Sequence, residues 1–148
     1  MAAGNRVNLV IPSEVRLVDV AHSASEKMAE LAGFDEDEAL NIGLAVREAV
    51  INAMLHGNGQ DPDLDVDLTL TELKDGLQAT VRDHGSGFDA DGTPDPTVGD
   101  NIMRSSGRGL LLIRAFVDEV EFEETADGGT LIKMTKRHPP ASTTDDDS

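Results

Sequence analysis

Along the chain the spacing of hydrophobic residues changes several times, and each change marks a boundary between elements. Val7, Leu9 and Ile11 recur at every second position, which predicts a strand; Pro12 and Ser13 stop it and open a helix running to about Leu31. Gly33 breaks that helix. Asp35 with Glu38 three residues on has the form of a helix N-cap, so a second helix is expected from about Glu36 to His56, ended by Gly57, Asn58 and Gly59. Leu64, Val66, Leu68 and Leu70 then alternate with Asp65, Asp67, Thr69 and Thr71, the period of a strand with one wet face. Lys74-Asp75-Gly76 turns the chain, and Leu77, Ala79 and Val81 begin a return strand that makes a hairpin. From Asp83 to Ser106 periodicity is lost among Gly, Pro, Asp and Ser, a loop of about twenty residues whose length suits a functional lid or a disordered stretch. A short helix from about Gly107 to Phe116 follows. Val120 and Phe122 alternate with acids, Asp127-Gly128-Gly129 turns, and Leu131, Ile132 and Met134 close the sheet. The expected fold class is an α+β two-layer sandwich, a mixed, mostly antiparallel sheet with helices on one face.

Composition narrows the chemistry. With 148 residues and no cysteine, the chain is long enough for a core without disulfides and can use neither thiolate zinc sites nor a Cys nucleophile. Its 29 acidic and 12 basic residues give a formal charge of −17, which repels phosphate backbones and argues against direct nucleic-acid binding. Such a field suits a basic protein partner, or plain solubility. No internal repeat is present. Met1 to Val10 lacks the pattern of a signal peptide, and no apolar run approaches the roughly 18 residues of a membrane span, so the expected location is cytoplasmic, with no membrane contact. One domain is expected over residues 1–137, followed by a disordered acidic tail, His138 to Ser148.

Four segments carry candidate chemistry. On the second helix, at 100° per residue, Ile42, Val46, Ala49, Val50 and Ala53 form a core stripe. Beside it runs a second row, Asn41, Ala45, Glu48, Asn52 and His56. Its short polar groups could line a cleft, and they would equally serve a solvated flank. Asp83, at a strand end, opens Asp83-His84-Gly85-Ser86-Gly87, whose glycines allow close backbone approach to a flat ligand or simply make a turn. Ser106-Gly107-Arg108-Gly109-Leu110 leads into a helix, where free amides can hold phosphate, though glycines also start ordinary helices. Gly128-Gly129-Thr130 alone reads as a hairpin turn. His56 and His84 adjoin these segments without the spacing of a transition-metal site and are expected as polar lining.

In order and spacing, these four segments resemble the GHKL (Bergerat) nucleotide-binding fold over about Phe34 to Lys136. The strings REAVINAMLHGN, RDHGSGFD and SSGRGLLLIRAFVDEVEF are similar to the anti-sigma factor serine/threonine kinases of the RsbW and SpoIIAB type. The resemblance implies ATP and Mg2+ as ligands, with Glu48 as catalytic carboxylate and Asn52 as the amide oxygen that holds the metal. It implies that Asp83 accepts a hydrogen bond from adenine, that Gly85 and Gly87 shape that wall, and that Thr130 sets its hydroxyl near the base. Ser106, Gly107, Arg108, Gly109 and Leu110 match the phosphate-binding turn. The lid from Asp89 to Ser106 lacks a lysine, so a cationic contact to the γ-phosphate falls to Arg104, Arg108 or the metal. The implied partners are an anti-anti-sigma protein of STAS type, whose serine is phosphorylated, a sigma factor, and a second copy of the chain in a homodimer. A nucleotide-binding anti-sigma module without transfer is the alternative. A histidine kinase would need a phosphoacceptor helix pair ahead of the domain, and the large ATPases of this fold need transducer domains.

Overall fold

The computed structural model describes residues 5–85 and 108–138. In chain order the elements are β1 (Arg6–Pro12), α1 (Val18–Leu31), α2 (Glu36–Asn52), β2 (Asp65–Leu73), β3 (Gly76–Asp83), α3 (Arg108–Phe116), β4 (Glu119–Glu124) and β5 (Thr130–Arg137). A 3-10 turn, Val15–Leu17, leads into α1, and a π turn, Ala53–Gly57, prolongs α2.

Local chemistry accounts for the α1–α2 junction. Gly33 has a φ of +100°, which glycine adopts without a Cβ penalty. Its N–H donates to Glu30 O and the Phe34 N–H to Ala29 O, which closes α1 in a Schellman arrangement. Two residues later the capping box is complete: Asp35 Oδ1 accepts from the Glu38 N–H at 2.8 Å, and Glu38 Oε1 accepts from the Asp35 N–H at 3.4 Å. A helix end and a helix start are thus both satisfied within a few residues, which sets α1 and α2 side by side. Gly43 lets them approach closely, since a Cβ there would lie 2.7 Å from the His22 ring. Arg47 pairs with Asp19 across the same seam.

The sheet has five strands in the order β1-β2-β3-β5-β4. Every adjacent pair is antiparallel, so the expected mixed sheet is antiparallel throughout among the described residues. The chain does cross over between β3 and β4, which point the same way. The return strand β5 inserts between them, so no parallel neighbours result. Ile11, Val66, Leu68, Leu70, Leu77, Ala79, Val81, Ile132 and Met134 face the helices and are buried with Ile42, Val46, Ala49, Val50 and Ile113. The opposite face is polar, with Thr69 Oγ1 donating to Asn8 Oδ1 and Gln78 Nε2 to Thr135 Oγ1. This is the two-layer sandwich that the one-sided alternation of β2 and β3 requires. No helix among the described residues is long and apolar enough to cross a membrane.

His138, the first residue of the expected tail, belongs to the packed chain. Its ring stacks on Phe34 with centroids 4.1 Å apart, and its backbone N–H donates to Asp75 O. Residues 139–148, the rest of that expected tail, lie outside the described residues.

Because the Asp35 carboxylate satisfies an α2 amide that has no partner inside the helix, Asp35→Ala is expected to cost about 1 kcal/mol of folding stability, read from a urea titration.

Candidate functional site

Ile42, Val46, Ala49, Val50 and Ala53 are all buried, as the core stripe of α2 predicts. The adjoining row is mixed. Ala45 and Asn52 are buried, Asn41 and Glu48 partly so, and His56 is exposed. The helix expected to about His56 is α-helical to Asn52 and continues to Gly57 as a π turn, because the chain widens at residue 53: the Asn58 N–H reaches back five residues to Ala53 O. A widened turn rotates everything after it, so the 100° arithmetic no longer applies, and π turns of this kind are frequent at functional sites. His56 therefore leaves the row, while Gly57 and Asn58 are buried in the interior. One helical turn earlier, Asn52 Nδ2 donates to Glu48 Oε2 at 3.3 Å, and Asn52 Oδ1 is buried with no hydrogen-bond partner among the described residues.

Asp83 ends β3 with only 3% of its surface exposed. Loss of water pushes its carboxyl up to about 6, although the Thr130 and Gly85 amides and the nearby His84 pull the other way. Those two N–H groups donate to the same oxygen, Oδ1, each at 3.2 Å. Among the described residues nothing donates to Oδ2. The slot around the carboxylate is built from backbone: a methyl group on Gly57 would overlap the carboxylate, one on Gly129 would meet Asp83 O, and one on Gly85 would strike Gly57 O. The end of α2, the end of β3 and the turn before β5 meet here at glycine distance. Thr130 is buried beside them, and its Oγ1 has no partner among the described residues.

His84 is not polar lining of this slot. Its Nε2 lies 2.7 Å from Asp67 Oδ2 and its Nδ1 3.5 Å from Asp127 Oδ2. Asp67 alternates with buried Val66 and Leu68, which places the cluster on the helix-free face of the sheet. The hydrogen bond to Asp67, reinforced by its charge and by Asp127, raises the imidazole pKa. The sequence does not signal this triad, since its members come from three separate segments. It also reads Asn58 as a mere helix stop, whereas Asn58 is 4% exposed and hydrogen-bonded through both ends of its amide.

The structure thus gathers Asp83, Gly85 and Thr130 against the π turn that continues the helix of Glu48 and Asn52. Gly109 is buried and Leu110 half-buried at the start of α3, which packs against α2. Gly87, Arg104, Ser106, Gly107 and the Arg108 side chain lie outside the described residues, as does most of the expected lid. Chemically, Asp83 offers a desolvated acceptor to a donor-bearing flat group. Asn52 Oδ1 is a carbonyl oxygen with no competing hydrogen bond among the described residues, the donor type a magnesium ion takes while keeping waters and phosphate oxygens for its other positions, so Asn52 fits that metal. Among the described residues no cluster of three or more His, Asp or Glu forms a metal site.

Comparisons with known proteins place the chain among kinase-type ATPase domains. The chain is 28% identical over 138 residues to the serine-protein kinase RsbW of Bacillus subtilis, a match covering 88% of this chain and 84% of that protein. It is 27% identical over 138 residues to serine-protein kinase RsbW of Listeria monocytogenes, covering 89% and 87%. A crystal structure of the RsbU and RsbW domains of a Mycobacterium tuberculosis protein superposes with a TM-score of 0.65 at 19% identity, covering 90% of this chain and 32% of that one, which it shares as a fold. The profile of the histidine kinase-like ATPase domain matches residues 11–136, and the chain belongs to that family.

Proposed function

We propose that the protein is an ATP-dependent serine kinase that phosphorylates an anti-anti-sigma protein of STAS type and, in alternation, sequesters a sigma factor in the cytoplasm as a homodimer. The similarity to RsbW kinases supports the reaction class. The observation that carries the site is the set of buried polar atoms without partners. Of the three among the described residues, two are Asn52 Oδ1 and Thr130 Oγ1, and buried polar groups in folded proteins are otherwise nearly always satisfied.

In this reading Asp83 Oδ2 accepts from the 6-amino group of adenine, and Thr130 Oγ1 donates to the base. The residues Ser106 to Leu110 bind phosphates with backbone amides, aided by Arg104 and Arg108. Asn52 would hold magnesium, which on binding supplies positive charge to the phosphate oxygens. Glu48, through the carboxylate that Asn52 Nδ2 orients, takes the proton from the attacking serine hydroxyl as its oxygen bonds the γ-phosphorus and the bond to the β-phosphate oxygen breaks. The charge of −17 favours a basic sigma-factor surface, an attraction that salt weakens.

Glu48→Gln should leave ATP binding intact and slow transfer to the antagonist serine by about a hundredfold or more, read with γ-labelled ATP. Bound ATP without any label transfer by the unmodified chain would instead make it a nucleotide-binding module. Asp83→Asn is expected to move affinity and stability in opposite directions. ATP should bind about tenfold more weakly, because an acceptor becomes partly a donor. The folded carboxyl titrates near 6 against 3.8 when unfolded, so folding favours its protonated form. Ionisation above that range costs stability, and the cost vanishes as pH falls from 6 through 3.8. The asparagine variant should therefore be more stable than the parent by about 1–3 kcal/mol at pH 8, with the advantage lost by pH 4, as chemical denaturation at the two pH values would show.

A further inference from the structure

We propose that Asn58 is a positioning residue for the base-recognising carboxylate, tying the peptide that follows Asp83 to the end of α2 and so setting selectivity for adenine. The proposal rests on the reading of Asp83 as the adenine acceptor. The Asn58 amide is fully engaged: Oδ1 accepts from the His84 N–H at 2.9 Å, and Nδ2 donates to Ser13 Oγ and to Asp65 O, each at 2.9 Å. The Ser13 hydroxyl in turn donates to Leu64 O at 2.7 Å. A flipped amide would set an NH2 group against an N–H donor, so these partners determine its orientation. The His84 ring is taken by Asp67 and Asp127 on the other face of the sheet, which leaves its backbone as the link to the slot. Gly57, which bounds the Asp83 carboxylate, immediately precedes Asn58. One peptide therefore packs against the carboxylate while the next side chain holds the strand that bears it. An ionised carboxylate so fixed accepts from the 6-amino group of adenine and repels the 6-oxo group of hypoxanthine, and that contrast depends on its placement.

The experiment is competition of ATP and ITP against a fluorescent ATP analogue, with inorganic tripolyphosphate and magnesium as a probe of the phosphate end, and amide hydrogen exchange at His84. The parent should prefer ATP. Asn58→Ala should cut that preference about tenfold, as expected for a lost buried acceptor, with tripolyphosphate binding unchanged. Asn58→Asp keeps the acceptor for the His84 N–H and should retain most of the preference despite losing both donor bonds. Ser13→Ala should lower stability yet leave the preference intact. His84 exchange should be slow in the parent and in Asn58→Asp, and fast in Asn58→Ala. If the alanine variant does not fold, the aspartate and Ser13 variants and the exchange in the parent carry the test. Parental preference in Asn58→Ala, loss of preference in Asn58→Asp, or an unprotected His84 amide in the parent would overturn the proposal alone. A parent that binds ATP and ITP alike would instead remove the Asp83 reading, and this proposal with it.

Discussion

A carboxylate held away from water at the end of β3 is the constraint around which the rest of the site is arranged. Removing the charge of Asp83 from solvent is costly, and the fold offsets this with two backbone amides, from Gly85 and Thr130, aimed at one oxygen. Room for those amides exists only because Gly57, Gly85 and Gly129 carry no side chains where three segments converge. The second oxygen receives nothing from the described residues. Burial withdraws water from the whole carboxyl group, and its raised pKa records that loss, which the two amides offset only in part.

The sheet and helices serve that point. The antiparallel order brings β5 next to β3, so that Thr130, at the start of one, meets Asp83, at the end of the other. The helix α2 crosses the same face with small residues, Gly43, Ala45, Ala49 and Ala53, which allow α1, α3 and the sheet to close around it. Its π turn then lets Gly57 and Asn58 reach β3, with Asn52 about one and a half turns back along the same rod and Glu48 one turn further.

The polar face of the sheet has a different character. Arg82, His84, Asp67 and Asp127 form one charged cluster, and Arg137 bridges Asp75 and Glu119 at another edge. Depression of the Asp127 carboxyl follows from its Thr125 hydroxyl and Gly129 amide donors, with His84 and Arg82 adding to it. These contacts restrain the turn that presents Gly129 and Thr130 to the slot. Such exposed pairs contribute little stability individually.

Elements set by neighbours in sequence were readable from the chain alone. The Gly33 stop, the Asp35–Glu38 cap, the core stripe from Ile42 to Ala53 and the alternation of β2 all depend on interactions within a few residues, or on a period that burial of one face imposes. Glu48 and Asn52 share a helix face for the same local reason. What required the tertiary structure was everything decided by contacts between distant segments. The insertion of β5 between β3 and β4 made the sheet antiparallel throughout among the described residues; the π turn displaced His56 and buried Asn58; and His84 turned to Asp67 and Asp127 on the outer face. His138 likewise found Phe34 across more than a hundred positions. Hydrogen bonds and packing between such remote residues leave no periodic trace, because each partner is chosen by where the folded backbone places it and not by what stands beside it in the chain.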